Sequence, residues 1–179
     1  MRFPLLAAAL AAFLPWSDAA VAKNYRDRSA PIGVVANLDI ERYLGKWYEI
    51  ARFPNRFERD CEGVTAEYAM RDDGKIRVLN TCRKGSPDGP VETAEGVATV
   101  DGPGRLKVTF VPWLPFAKGD YWVLHVDAAY SFAVVGEPKG NTGWILARAP
   151  QMAQGDYDKA IAVLQAAGYD TSRLRRVQQ

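Results

Sequence analysis

From residue 47 onward the chain alternates apolar and polar residues with a period of two, the spacing of half-buried strands. Between Trp47 and Phe53, the residues Trp47, Glu49, Ala51 and Phe53 share one face and Tyr48, Ile50 and Arg52 the other, and Pro54 ends the run. Val64, Ala66, Tyr68 and Met70 alternate with Thr65, Glu67 and Ala69. Asp72-Asp73-Gly74 then supplies a hairpin turn, in which Gly takes the positive φ. Ile76, Val78 and Asn80 alternate with Arg77, Leu79 and Thr81 up to Cys82. Further runs occupy Glu92 to Val100, Leu106 to Phe110, Tyr121 to Val126, Tyr130 to Val135 and Trp144 to Ala147. The pattern predicts eight strands with no helix between them, too closely linked for parallel crossovers, hence an all-β antiparallel meander. Eight such strands close into an up-and-down β-barrel with room for one small ligand; a two-sheet sandwich is the alternative.

Helical spacing occurs twice. Residues 39–44 form a short turn that stops at Gly45. After the strands, Tyr157, Ala160, Ile161 and Leu164 define one face of a helix that Asp156 is expected to cap and Gly168 to end. That face is expected to pack on the outside of the barrel. The first 22 residues have a different pattern: Met1-Arg2, an apolar run from Phe3 to Leu14, and small residues at Ala20-Val21-Ala22. They are read as an export signal cleaved after Ala22, with an uncleaved anchoring segment as the alternative. Residues 23–36 are expected to be a flexible lead-in, and 37–179 the single folded domain.

Composition narrows the chemistry. A formal net charge of +2 gives no argument for nucleic acid as a partner. Cys61 and Cys82 are the two cysteines, and in an exported protein an even pair points to a disulfide, against the alternative of two free thiols. No cysteine follows Ala22 to take an acyl anchor, so a soluble periplasmic form is expected, with outer-membrane association left open. One histidine, His125, is too few for a metal site, and neither a nucleophile elbow nor a phosphate or dinucleotide loop is present. No catalytic residue, metal or cofactor is therefore expected.

Three short motifs carry a family resemblance. Gly45-Lys46-Trp47 opens the first strand, Asp127-Ala128-Ala129-Tyr130 joins strands six and seven, and Arg148 closes strand eight. In this order, with one late helix, they resemble the signature of the lipocalins. Val64 to Asn80 and the terminal Val177-Gln178-Gln179 are similar to the bacterial outer-membrane and apolipoprotein D-like members of that family. The resemblance implies a carrier of a hydrophobic or amphipathic lipid, such as a fatty acid or a lysophospholipid, used in the cell envelope for membrane maintenance, as a monomer or homodimer. A lipid-acting enzyme on the same barrel, or haem held through His125, are the alternatives.

Loop parity makes a geometric prediction. In a meander, successive loops alternate between the barrel ends, so Trp47, the Asp127–Tyr130 loop and Arg148 meet at one end, where a guanidinium can lie over the indole. Gly45, Trp47, Asp127, Tyr130 and Arg148 are thus expected to seal a floor. Loops 54–63, 83–91, 112–119 and 136–143 then surround the mouth, with Cys61 and Cys82 bracing its rim. Facing parity puts Ala51, Phe53, Val64, Ala66, Tyr68, Val78, Asn80, Gly96, Ala98, Val108 and Phe110 on the pocket wall, with Gly96 and Ala98 leaving space for the ligand. Burying one methylene contributes about 0.8 kcal/mol, so a chain of about 14 carbons offers about 11 kcal/mol gross before the costs of association. At the rim, Pro112-Trp113-Leu114-Pro115-Phe116 is expected to fold over locally, the alternative being contact with a membrane or second subunit. Arg173, Arg175 and Arg176 are expected to be solvated, or to meet anionic headgroups.

Overall fold

The computed structural model describes residues 24–114 and 116–179; the expected export signal at 1–22 and Pro115 lie outside them. Eight antiparallel strands follow one another around a barrel: β1 (Gly45–Arg52), β2 (Cys61–Met70), β3 (Ile76–Lys84), β4 (Val91–Val100), β5 (Arg105–Thr109), β6 (Gly119–Val126), β7 (Phe132–Gly136) and β8 (Gly143–Ala147). β1 pairs with both β2 and β8, so the sheet closes on itself.

The closure is not made by β1 and β2 alone. β1 keeps β2 as a partner only from Gly45 to Tyr48. Beyond that, β9 (Arg175–Arg176) lies beside Ala51 and Arg52. The tail continues the seam: Val177 N donates to Ile50 O at 3.0 Å, and Gly63 N donates to Gln178 O at 2.6 Å. The Gln179 amide donates to Glu49 O at 2.7 Å and to Val64 O at 2.9 Å. Backbone groups that would otherwise be bare at a splayed joint are thereby satisfied by the last residues of the chain.

Asp39 caps α1 (Ile40–Tyr43) by accepting from Arg42 N at 3.2 Å. The late helix, α2 (Gln154–Ala166), starts earlier than expected: Ala153 is its N-cap and no side chain caps it. Asp156 sits inside the first turn, where it complements the helix dipole and pairs with Lys159 at 2.8 Å. Gly168, at φ +84°, ends the helix, and Tyr169 N reaches back to Leu164 O at 2.9 Å. Ala160 and Leu164 bury against Phe132, Val134, Ile145 and Ala147, so β7 is covered on both faces, by the helix outside and the barrel core inside.

Residues 24–36 are not the loose lead-in expected from their composition. Tyr25 N donates to Gly140 O at 2.6 Å and Val35 N to Val123 O at 3.0 Å. The buried Arg26 guanidinium donates to Ala167 O at 2.6 Å, to Pro138 O at 3.1 Å and to Ala30 O. A side chain with five donors staples segments that carry no hydrophobic periodicity of their own.

Cys61 and Cys82 form a disulfide between β2 and β3, with Cα atoms 5.2 Å apart and a sequence separation of 21. They pack with Val64 and Val177 in a small cluster separate from the two main cores. Replacing both cysteines by serine is expected to lower unfolding free energy by about 3 kcal/mol through the freed loop entropy. Urea denaturation of the double variant against the wild type measures this.

Candidate functional site

The floor forms first, from residues near the strand ends. Trp47 is fully buried and donates its indole N–H to Tyr43 O at 2.8 Å. Arg148 lies over it, with its guanidinium carbon 3.8 Å from the ring centroid, and donates to Arg42 O at 2.7 Å, Lys46 O at 2.9 Å and Tyr130 O at 3.3 Å. Gly45 holds φ +86°, and a Cβ there would stand 3.4 Å from the Arg148 guanidinium. Asp127 accepts from Ser131 N at 2.6 Å and Phe132 N at 2.9 Å, which shapes the turn that presents Tyr130 O to Arg148 and the Tyr130 hydroxyl to Asp39 N at 2.9 Å. Above this floor, Tyr43, Ile76, Val78, Ala98, Leu106, Val123, Val135 and Leu146 fill the lower barrel.

The upper barrel is different. Ala66, Asn80, Val108, Tyr121 and Trp144 stand at inward-facing register positions and remain partly exposed, and the apolar ones among them pack against the top of the filled lower core. Tyr121 and Trp144 lie nearly parallel, their ring centroids 6.4 Å apart. The Tyr121 hydroxyl is bonded to those of Tyr43 at 2.8 Å and Tyr68 at 2.9 Å. Burial pushes all three phenols up, Tyr68 to about 12, so they stay protonated and serve as hydrogen-bonding groups rather than bases.

Beside these phenols lies a buried charged cluster. Arg52 is 1 % exposed and donates to Glu49 Oε1 at 2.7 Å, Cys61 O at 2.7 Å and Glu58 O at 3.0 Å. Glu58 comes from a 3₁₀ turn, Arg56–Glu58, whose N–H groups are capped by Asn55. The turn folds inward so that the Glu58 carboxylate accepts from the Trp144 indole at 3.1 Å and from the Asn55 amide. Burial, followed by the negative charge and hydrogen bond of Glu58, raises the Glu49 carboxyl well above its usual range, and Arg52 only partly offsets this.

A pH dependence follows from that shift. The stability contributed by Glu49 is fully present below the unfolded carboxyl value of about 4.3 and is lost as pH rises through the higher folded value. Glu49→Gln mimics the protonated form, so its melting temperature is expected to fall less than that of the wild type between about pH 4.5 and pH 8. Parallel thermal melts across that range read the two slopes; identical slopes would show that the Glu49 carboxyl is not raised in the folded protein.

The structure redistributes the residues expected on the wall. Ala66, Tyr68, Val78, Asn80, Gly96, Ala98 and Val108 face inward, with Tyr68, Val78 and Ala98 in the filled lower half. Ala51 and Phe53 do not: both lie in the outer core under α2, and Phe53 stacks on Tyr25 at 4.8 Å and Tyr169 at 5.1 Å. The cause is a bulge in β1 between Glu49 and Ala51, which reverses facing from that point and turns Arg52 inward. Val64 is displaced by a similar irregularity between Glu62 and Thr65, and packs against the disulfide and Val177. Gly96 does not leave space for a ligand. A Cβ there would sit 2.9 Å from the Phe110 ring, which covers it at the rim and is itself 41 % exposed.

Glu49, Arg52, Glu58, Tyr121 and Trp144 were not among the expected site residues. A glutamate two positions after the floor tryptophan, on its face, was the one available signal. His125 is on the outer surface of the barrel, its ring 5.3 Å from Phe132, away from the hollow. Nor are the terminal arginines merely solvated: Arg175 pairs with the buried Glu62, Arg173 lies 4.3 Å over Tyr25 and Arg176 lies 3.6 Å over Tyr157. Among the described residues no cluster of histidine, cysteine or acidic side chains could hold a metal ion.

A closed antiparallel cup with a sealed floor and an upper half lined by partly exposed aromatic side chains defines the class of barrel proteins that enclose small hydrophobic molecules. The chain belongs to the lipocalins: the family model described as a lipocalin-like domain matches residues 38–179. It is 44 % identical to the outer membrane lipoprotein Blc of Escherichia coli K12, covering 98 % of this chain and 96 % of that one. It is 38 % identical to temperature-induced lipocalin-1 of Arabidopsis thaliana, with 82 % of each chain covered. Among solved structures, the cockroach allergen Per a 4 superposes with a TM-score of 0.65 at 20 % identity over 86 % of this chain and 96 % of its own, a likeness of fold alone.

Proposed function

We propose that this protein carries an amphipathic lipid, a fatty acid or lysophospholipid, within the bacterial cell envelope. The observation that carries the reading is the division of the barrel into a sealed, filled lower half and an upper half whose inward side chains remain partly exposed. An acyl chain entering there removes methylenes from water at about 0.8 kcal/mol each. The phenol trio and the Glu49–Arg52–Glu58 cluster offer hydrogen-bonding groups to a polar end. The disulfide and the envelope lipoprotein among the relatives support an exported location. Native mass spectrometry of protein purified from its host, with displacement of a fluorescent fatty acid, tests this. No bound lipid across repeated preparations and no displacement would reject it.

An enzyme on a lipid-like substrate is favoured by one observation, the raised Glu49 carboxyl beside a second acid, Glu58, that borders a groove. Glu49→Gln separates the readings: a carrier keeps lipid affinity within a few-fold, whereas an enzyme keeps binding and loses turnover.

A further inference from the structure

The exposed large apolar side chains are gathered at one end of the barrel. Phe57, Val91, Phe110, Trp113, Leu114 and Phe116 lie on the mouth loops or the strand ends beside them, while Met70 and Val100 are the two at the floor end among the described residues. Trp113 is 74 % exposed and Phe116 is 87 % exposed. Local packing of this loop over the rim, the reading its sequence favours, is therefore not what the structure shows. The loop is held by its own turns, Leu114 N to Val111 O at 2.8 Å and Ala117 N to Leu114 O at 3.1 Å, with its large side chains left outside. Single exposed hydrophobes are ordinary; several concentrated on one rim mark a contact surface.

Charge indicates what covers it. The exposed cations of the mouth loops are Arg56, Arg59, Lys118 and Lys139, against the exposed acids Asp60 and Asp88. The other three acids in these loops are turned to internal use, Glu58 to Trp144, Glu62 to Arg175 and Glu137 to the backbone of Lys139. Arg56 lies 4.7 Å over the Phe57 ring, and with Arg59 and Arg175 it borders a groove of about 580 Å³ beside the mouth. Apolar tips with cations set just behind them match the two layers of a bilayer surface, acyl boundary and phosphates. A second copy of this chain fits less well. A two-fold contact through the mouth would bring the same cations face to face.

We propose that the mouth docks on a lipid bilayer bearing anionic headgroups, with Phe57, Trp113, Leu114 and Phe116 entering the acyl boundary and Arg56, Arg59 and Lys118 meeting phosphates. The hollow then opens directly onto the leaflet, and cargo exchanges without crossing water. This last step rests on the carrier reading; the docking itself does not.

Co-sedimentation of the full chain with phosphatidylglycerol/phosphatidylcholine vesicles, against pure phosphatidylcholine, tests the docking. The wild type is expected to pellet with the anionic vesicles. The variant with Trp113→Ser and Phe116→Ser is expected to bind at least about tenfold more weakly. Arg56→Gln with Lys118→Gln is expected to lose most of the salt-sensitive part of binding. Both variants should displace a fluorescent fatty acid in solution as the wild type does, which separates docking from cargo binding. A wild type that pellets with neither vesicle, or serine variants that pellet equally well, would overturn the proposal. So would a wild-type dimer that the serine variants dissociate without any vesicle binding, since the rim would then be covered by a second copy. Vesicle binding without fatty acid displacement would leave the docking standing and remove the carrier reading instead.

Discussion

Replacing Arg52 by alanine is expected to cost about 3–5 kcal/mol of stability near neutral pH, because it strands a buried acid with no counter-charge. Arg52 is 1 % exposed and Glu49 is 4 % exposed, so water does not take over the lost interaction. Two backbone carbonyls, of Glu58 and Cys61, also lose their donor. The loss should shrink towards pH 4.5, since Glu49 then carries its proton in both proteins and only the hydrogen bonds differ. Removing both charges together, Glu49→Leu with Arg52→Met, should recover much of the stability, because an apolar pair of similar volume avoids the desolvation that the ions suffer. Urea melts of the wild type, the single variant and the double variant at pH 4.5 and pH 7.5 check all three statements. A single variant within about 1 kcal/mol of the wild type at pH 7.5 would show that the pair is not buried in solution.

Ala66→Trp is expected to weaken lipid binding roughly 150- to 1,000-fold. Ala66 lies opposite Trp47 on β1 and Asn80 on β3, facing into the barrel at the top of the filled lower half. An indole there occupies the room of about four or five methylenes, and at about 0.8 kcal/mol each their exclusion removes about 3–4 kcal/mol of burial. Glu67→Trp, one residue along on the outer face, is the control that adds the same ring without entering the hollow. Fluorescent fatty acid titrations of both variants, with circular dichroism to show that each is folded, make the comparison. Unchanged affinity in a folded Ala66→Trp protein would place the lipid elsewhere.

The strands were legible because alternation is a local property. Val64 to Met70 and Ile76 to Asn80 can be read as neighbours from their period and the Asp-Asp-Gly turn between them. The floor was legible too, because counting strands decides which end each loop occupies, and that needs no coordinates. The wall was read correctly only where the strands run regularly. Ala51 and Phe53 were assigned inward by a parity that holds until a residue is inserted, and the bulge after Glu49 inserts one. A bulge answers to the strand across the sheet, so residues 47–53 alone do not announce it. Arg52 was hidden for the same reason, since by simple alternation it points away from the Glu49 it binds.

The amino-acid sequence by itself determined the eight strands, their antiparallel order, the sealed end and the disulfide partners, since each follows from short-range periodicity, turn residues or a count of cysteines. Tertiary structure alone decided the rest. It placed the tail of the chain in the seam between β1 and β2, turned Glu58 inward to Trp144, covered Gly96 with Phe110 and left Trp113 and Phe116 outside. These depend on which distant segment supplies the missing donor, charge or surface, and such partners are chosen by the closed barrel as a whole rather than by neighbours along the chain.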